Sequence, residues 1–224
     1  MSCRGNGGKY PIAIDGTAAA GKSTLGVALA RRYGYTLFDT GVTYRAFTLL
    51  ALREGVPADD EAACVELARR ADLRIEGQDE TRVWIEDEDV TGRLRDAAVE
   101  ASVSEYSAIG GVREVMVALQ REIALRNPCV VVGRDIGTVV LPDAPVKFFL
   151  TASDETRADR RAAQAGTWGQ RQDARAATTD IIRRDRIDST RGALRQPEGA
   201  IVIDTTEISP EAVVRQAVEV IECD

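Results

Sequence analysis

The chain contains no histidine, and only three of its 29 basic residues are lysines. Without an imidazole it cannot use Ser-His-Asp or Cys-His catalysis, and it has no histidine ligand for zinc. The four cysteines are scattered and form no C-x-x-C pair, which favours reduced thiols without a zinc site. Phosphoryl transfer to a phosphate acceptor remains compatible with this composition, because its nucleophile is already an anionic oxygen that needs no strong base.

Long apolar runs are also absent. No stretch approaches the roughly 18 apolar residues of a membrane span, and residues 1–9 lack the apolar segment of a signal peptide. The net charge of −7 disfavours a protein that coats nucleic acid. With 224 residues, 44% of them hydrophobic, the chain can form one domain with a full core. We therefore expect a single domain over 1–224 that is cytoplasmic and binds neither membranes nor nucleic acid.

Residues 16–23 form a complete G-x-x-x-x-G-K-S phosphate loop. A short apolar run at 10–14 precedes it, and apolar residues at helical spacing follow it, so the loop joins a buried strand to a helix. This arrangement directs consecutive backbone N–H groups at a polyphosphate. Lys22 is predicted to reach the β- and γ-phosphates, and Ser23 to lie near Mg²⁺. The predicted nucleotide-binding residues are Gly16, Thr17, Ala18, Ala19, Ala20, Gly21, Lys22, Ser23 and Thr24.

Strand and helix patterns alternate along the rest of the chain, which predicts an α/β fold whose parallel sheet is covered on both faces. Further strands are predicted at 35–38, 129–132, 146–151 and 200–204. Helices are predicted at roughly 41–54, 59–70, 112–125, 154–165, 173–187 and 209–222.

Two stretches interrupt this alternation. Three short extended segments between 72 and 91 alternate apolar and charged residues and are separated by turns, which predicts a small antiparallel meander. We interpret it as part of an inserted subdomain at 66–108, with Val83, Trp84 and Ile85 as packing residues rather than ligand contacts. The break at 166–170, between two arginine-rich helices, is a candidate lid loop.

Polar groups follow two of the predicted strands. After the second strand, the Thr40 hydroxyl and the start of a helix can hold a phosphate that Arg45 neutralises. The alternative is that Asp39 or Thr40 only caps the helix while Arg45 is a solvated helix residue. After the strand at 129–132 comes an Arg134-Asp135 pair, at the sheet edge where parallel sheets bind ligands. A surface ion pair would give the same two residues.

Between residues 157 and 195 there are ten arginines and five aspartates, with no lysine or glutamate. This local positive charge in an acidic chain suggests a flap over polyphosphate. Arg184, Asp188 and Arg191 share one face if the segment is helical, although a structural ion-pair ladder would show the same spacing. No N-K-x-D guanine motif is present, which argues against a GTPase.

Taken together, these segments resemble bacterial cytidylate kinases, in order and at the expected spacing, from about Tyr10 to Glu222. The specific motifs are D-T-G-x-x-Y-R at 39–45, G-R-D-x-G-T-V-V-x-P-D-A at 133–144 and R-D-x-x-D-x-x-R at 184–191. The resemblance implies a P-loop NTPase fold with a five-stranded parallel core. It also implies a monophosphate-binding insert at 66–108 and an arginine-rich lid at 157–175.

The resemblance further implies Mg²⁺-dependent transfer of the ATP γ-phosphate to CMP or dCMP. The catalytic residues would be Lys22, Arg157, Arg161 and Arg191, with Arg160 as a further lid arginine. The acceptor phosphate would be bound by Thr40, Arg45, Arg134 and Arg191, beside Tyr44. The cytosine edge would be read by Ser104, Arg113 and Asp135, and the sugar hydroxyls by Arg184 and Asp188.

Some positions depart from the family pattern. Thr17 stands where proline is common, Val42-Thr43 replaces a commoner Ala-Met pair, and Thr40 replaces serine while keeping the hydroxyl. Val132 occupies a position that is often acidic or small. None of these changes removes a charge from the expected mechanism.

Two other functions remain open at this point. One is a P-loop kinase that acts on UMP or another small acceptor, and the other is a regulatory protein that binds ATP without turnover. We expect a monomer whose partners are ATP, CMP and dCMP.

Overall fold

Eight strands form two separate sheets in the computed structural model, which describes residues 10–76, 81–167, 179 and 194–223. The strands are β1 Ile12–Gly16, β2 Thr36–Asp39, β3 Leu73–Glu76, β4 Arg82–Ile85, β5 Glu88–Asp89, β6 Cys129–Val132, β7 Val146–Thr151 and β8 Ile201–Asp204. Five of them form one sheet in the order β2-β6-β1-β7-β8, and the other three form a second sheet in the order β3-β4-β5.

The helices lie between the strands, largely as predicted. They are α1 Lys22–Tyr33, α2 Gly41–Glu54, α3 Glu61–Arg70, α4 Ala97–Tyr106, α5 Gly110–Arg126, α6 Asp154–Thr167 and α7 Pro210–Cys223. A 3-10 turn covers Thr91–Arg93 and a π-helical turn covers Ile136–Val140. The helix predicted at 173–187 lies outside the described residues, apart from residue 179.

The larger sheet confirms the predicted α/β class. β1 pairs in parallel with both β6 and β7, and β7 pairs in parallel with β8. Every residue of β1 and of β6 is buried. Strands buried on both faces have continuous apolar sequences, which is why these two were recognisable without any alternation. β1 begins two residues later than its predicted start.

The described residues fall into two compact units, one containing residues up to Gly34 together with those from Val130 onward, and the other containing Tyr35–Cys129. In the first unit, α1 and α7 supply the fully buried side chains Leu25, Leu29 and Ile221. Beside them, the β7 side chains Phe148 and Leu150 are 0% exposed, so this unit has a continuous apolar core.

The second unit contains α2–α5 and the antiparallel sheet predicted from residues 72–91. Val83 and Ile85 of β4 are buried as expected. Trp84 is not, because successive strand residues point to opposite faces. Its ring instead lies under the guanidinium of Arg74, with 4.6 Å between the guanidinium carbon and the ring centroid. Trp84 therefore packs against the neighbouring strand of this sheet rather than in the apolar core.

Helix α4 was not identified from the sequence, although it lies inside the predicted insert. Val99, Val103 and Tyr106 recur at helical spacing and are all buried. The Tyr106 ring meets Phe47 of α2 edge-on, with 6.0 Å between ring centroids, and its hydroxyl donates to the Val56 carbonyl at 2.7 Å. This packing of α4 against α2 brings Glu100 of α4 close to Arg45 of α2.

Candidate active site

The phosphate loop is attached to the neighbouring strand by its backbone. Gly16 ends β1 with φ +143°, and a Cβ at this position would overlap the Leu150 carbonyl of β7. The Thr17 N–H donates to the same carbonyl at 3.2 Å. Only glycine can adopt this φ and approach the carbonyl so closely, which explains why the motif begins with glycine.

The ammonium group of Lys22 lies inside the loop. Its Nζ donates to the carbonyl oxygens of Gly16 and Thr17, at 2.9 and 2.6 Å. Gly21 precedes α1 in the left-handed region, with φ +94°, and the side chains of Ser23 and Thr24 are exposed at the first turn. The helix start and the ammonium group together form a site for anionic phosphate oxygens.

Arg157 of α6 is held against the loop and is almost completely buried. Its Nη1 donates to the Ala18 carbonyl at 3.3 Å, and its Nη2 pairs with Asp154 one turn earlier. The guanidinium is thereby directed at the phosphate-loop backbone. Arg161, on the same helix, is half-buried. The catalytic roles of both arginines remain predictions. Of the expected lid at 157–175, the structure describes residues 157–167 and the rest lies outside the described residues.

Arg160 and Thr205 connect α6, the end of β8 and the loop. The Arg160 guanidinium donates to the Thr205 hydroxyl at 2.9 Å and to the Thr205 carbonyl at 2.7 Å. The Thr205 hydroxyl in turn donates to the Ala20 carbonyl at 3.0 Å. Thr205 is 2% exposed and was missed in the sequence. Its one signal was its place directly after the last strand, where parallel sheets bind ligands.

A cavity of about 330 Å³ adjoins this cluster. Its walls combine the loop and the start of α1 with α6 and the start of α7, and most of the side chains are small or apolar. The lining includes Ala20, Arg160, Thr205, Pro210 and Val213. A small, mainly apolar cleft with one planar cation suits a heterocyclic base.

Asp15, directly before the loop, was also missed. It is 0% exposed, and its two oxygens accept hydrogen bonds from the N–H groups of Ile136 and Gly137, at 2.6 and 2.7 Å. Burial raises the pKa of Asp15 to about 6, against the lowering effect of the two N–H donors, and the nearby charge of Asp135 raises it further. Asp135 itself is buried, whereas Arg134 is half-buried.

In the second unit, a buried chain of polar groups supports the start of α2. Gln120 of α5 donates to the Thr43 hydroxyl at 2.7 Å, and that hydroxyl donates to the Thr40 carbonyl at 2.8 Å. The Asp39 carboxylate accepts the Gly41 N–H at 2.9 Å, whereas the N-cap residue of α2 is Thr40, whose side chain makes no capping bond. Thr40 is 4% exposed, at the point where a phosphate was predicted.

Arg45 does not behave as a solvated helix residue. Its side chain is 18% exposed, its Nε pairs with Glu100 at 3.0 Å, and its Nη1 donates to the Gly41 carbonyl at 3.3 Å. Glu100 was not predicted as part of the site. The guanidinium is therefore held close to the first turn of α2, where its charge adds to that of the helix start.

Among the predicted base-reading residues, Arg113 of α5 lies over the ring of Tyr44, with 5.6 Å from the guanidinium carbon to the ring centroid. Ser104 lies on α4 and is half-buried. The structure thus brings Tyr44 and Arg113 together within the second unit, while Arg134 and Asp135 belong to the first. Arg184, Asp188 and Arg191 lie outside the described residues.

Within the part of the chain that the structure describes, no group of three or more Cys, Asp or Glu side chains could hold a metal ion. In the same residues, no helix is long and apolar enough to cross a membrane. The Ser23 hydroxyl remains the predicted metal ligand, and an isolated hydroxyl fits a Mg²⁺ ion whose other ligands are phosphate oxygens and water.

Comparison with known proteins agrees with this geometry. A family model described as Cytidylate kinase matches residues 12–223. A cytidylate kinase of Caldanaerobacter subterraneus subsp. tengcongensis is 47% identical over 212 residues, covering 94% of this chain and 93% of that protein. One from Geobacillus sp. is 44% identical over 213 residues, covering 94% and 95%. Among solved structures, an uncharacterized protein from Eubacterium ventriosum shares the fold, with TM-score 0.54 and 13% identity over 95% of this chain and 98% of that one. The chain belongs to the cytidylate kinase family.

Proposed function

We propose that the protein transfers the γ-phosphoryl group of ATP to CMP or dCMP, forming ADP and the corresponding diphosphate. The observation that carries this proposal is the phosphate loop of a cytidylate kinase family member, with the Lys22 ammonium group held inside it. The remaining contacts suggest how donor and acceptor are bound.

The donor site comprises the loop and the adjacent cavity. The backbone N–H groups of the loop and the Lys22 ammonium group bind the β- and γ-phosphates of ATP. The cavity of about 330 Å³ takes the base of the nucleotide, and the planar guanidinium of Arg160 offers it a stacking surface. Ser23 supplies an oxygen ligand for Mg²⁺, which neutralises charge on the phosphates when it is bound.

The acceptor site uses residues from three segments. Thr40, beside Tyr44, and Arg45, Arg134 and Arg191 bind the phosphate of CMP, and Arg184 and Asp188 bind the sugar. Ser104, Arg113 and Asp135 read the base. A carboxylate such as that of Asp135 accepts a hydrogen bond from the exocyclic amino group of cytosine, which uracil lacks. This difference favours CMP over UMP, because a buried polar group left unpaired is costly.

The reaction itself needs little from the protein beyond position and charge. An anionic oxygen of the CMP phosphate attacks the γ-phosphorus of ATP, and the bond to the β,γ-bridging oxygen breaks to release ADP. Lys22, Arg157, Arg161 and Arg191 neutralise the charge on the transferring group. A lid that closes over the site excludes water, which would otherwise hydrolyse ATP. We expect the enzyme to act as a cytoplasmic monomer.

The test is an assay of ADP release with purified protein, ATP and Mg²⁺, run separately with CMP, dCMP, UMP, AMP and shikimate. We expect turnover with CMP and dCMP and little with the other acceptors. A preference for an acceptor outside the cytidine pair would contradict the proposal. ATP binding without acceptor-dependent ADP release would instead favour the regulatory protein.

A further inference from the structure

Asp15 joins two functional segments of the first unit through one buried side chain. It is the residue of β1 directly before Gly16, where the phosphate loop begins. Its Oδ1 accepts the Ile136 N–H at 2.6 Å and its Oδ2 accepts the Gly137 N–H at 2.7 Å. Two short bonds to an ionised carboxylate are charge-assisted and directional, so they define the position of the backbone that donates them.

That backbone belongs to the segment that carries Arg134 and Asp135. The Asp135 carbonyl accepts the N–H groups of Val139 and Val140, at 2.8 and 3.1 Å, so the turn starting at Ile136 begins from this residue. A shift of the first two N–H groups of the turn would therefore move Asp135. The backbone of the loop before α1 is held by its own bonds to Leu150, Arg157 and Thr205, so Asp15 reaches this loop only through its charge, which acts on Lys22.

Gly137 allows the close approach. A Cβ on Gly137 would lie 2.8 Å from Cγ of Pro197 and 3.2 Å from Oδ2 of Asp15. Any larger residue would press against both neighbours, and the proline ring cannot swing away. The contact therefore depends on two features: the Asp15 carboxylate accepts two N–H groups, and Gly137 has no side chain to keep the segments apart.

Asp15 has the geometry of a positioning residue rather than of a reacting group. Both of its oxygens are engaged by backbone donors, and the side chain is fully buried. An aspartate in this position costs desolvation energy that a neutral acceptor would avoid. In this position the negative charge of Asp15 strengthens its two hydrogen bonds to the segment that carries the proposed acceptor residues.

We propose that Asp15 positions the acceptor-binding segment at 133–138, and that its effect falls on CMP and not on ATP. This inference rests on the proposed function, since it assigns Arg134 and Asp135 to the acceptor. Asp15 lies in β1 directly before the donor loop, and its carboxylate bonds the backbone of the acceptor segment. The position of β1 therefore determines the positions of both segments.

The experiment compares Asp15→Asn with the unsubstituted enzyme in steady-state kinetics. The amide keeps one acceptor oxygen and presents an NH₂ group to the second N–H. We expect the KM for CMP to rise about tenfold, which corresponds to the loss of about 1.4 kcal/mol. The KM for ATP should change less than about twofold, since the contacts of the phosphate loop remain. Gly137→Ala disturbs the same contact at its other partner and should likewise raise the KM for CMP.

The matched control is Asp60→Asn. Asp60 also accepts a backbone N–H, from Ala63 at 3.0 Å, at the exposed start of α3, and it takes no part in the proposed site. Both KM values should remain unchanged in this variant. In the double variant of Asp15 and Gly137, the effects should be less than multiplicative, because both substitutions break one contact.

Three results would overturn the inference. One is an equal rise in the KM values for ATP and CMP, another is a lower kcat or thermal stability with both KM values unchanged, and the third is a fully multiplicative double variant. If Asp15→Asn does not fold, the KM split in Gly137→Ala decides. Failure of the proposed function is distinct, because then the unsubstituted protein shows no CMP-dependent ADP release.

Discussion

Arg45 and Glu100 form an ion pair between α2 and α4, with 3.0 Å between Nε and Oε1 and side chains that are 18% and 15% exposed. A second bond, from Nη1 of Arg45 to the Gly41 carbonyl at 3.3 Å, holds the same guanidinium. Glu100 therefore orders a long, flexible side chain that is proposed to bind the acceptor phosphate. Such preorganisation removes an entropic cost from binding.

For this pair we predict that Glu100→Ala raises the KM for CMP by about three- to tenfold, because Arg45 would lose its main support. Glu100→Gln should stay within about twofold of the unsubstituted enzyme, since the amide oxygen still accepts the Nε proton. Glu105→Ala, at an exposed position of the same helix, is the control and should leave the KM unchanged. A lower KM for CMP in Glu100→Ala would mean that the carboxylate competes with the substrate phosphate for Arg45.

Thr205→Val tests the donor side. Valine keeps the shape of threonine but removes the hydroxyl that contacts Ala20 and Arg160. We expect the KM for ATP to rise about fivefold, the loss of roughly one hydrogen bond, and the KM for CMP to stay constant. Thr206→Val, whose hydroxyl accepts the Ser153 N–H at 3.0 Å, is the control. An unchanged KM for ATP in Thr205→Val would remove this cluster from the donor site.

Most helices, strands and motifs of this chain could be recognised from the sequence, because each depends on residues that are close together along the chain. β6 and β7 were predicted with the bounds observed, since each is a short apolar run bordered by polar or turn residues. The phosphate loop and the helix after it could likewise be read from neighbouring residues. Lys22, Arg45 and Asp135 were named as site residues from motifs of this kind, whereas Arg113 was named from the family resemblance alone.

The supporting contacts could not be predicted in this way. Asp15 and Ile136 are 121 residues apart in sequence, Arg45 and Glu100 are 55 apart, and Thr205 and Ala20 are 185 apart. Nothing beside Asp15 in the sequence distinguishes a buried acceptor from an ordinary turn aspartate. Its partners are backbone N–H groups, which every residue except proline carries. Such contacts therefore leave no signature in residue type or spacing.

The buried carboxylate of Asp15 predicts a pH dependence of stability. Its pKa rises from 3.8 to about 6 on folding, chiefly through burial, so the folded state binds this proton more tightly than the unfolded state does. The protonated form favours folding below pH 4, and this contribution is lost as pH rises through about 6. Between pH 5 and pH 7.5 the unfolding free energy of the unsubstituted protein should fall by about 1.4 kcal/mol relative to Asp15→Asn. Urea denaturation at both pH values measures the difference. Parallel changes in the two proteins would show that Asp15 titrates normally.

Asp135→Asn tests recognition of the base. An amide can donate to the O4 oxygen of uracil, whereas the carboxylate only accepts, so the variant should lose preference for cytosine. We expect kcat/KM for CMP to fall at least about tenfold and the ratio of UMP to CMP turnover to rise by a similar factor. Asp143→Asn, at an exposed position near the end of the 133–144 motif, should keep the preference of the unsubstituted enzyme. Because the charge of Asp135 raises the pKa of Asp15, the same variant should also lower the pH at which Asp15 titrates. An unchanged UMP to CMP ratio would place base recognition on Ser104 and Arg113 alone.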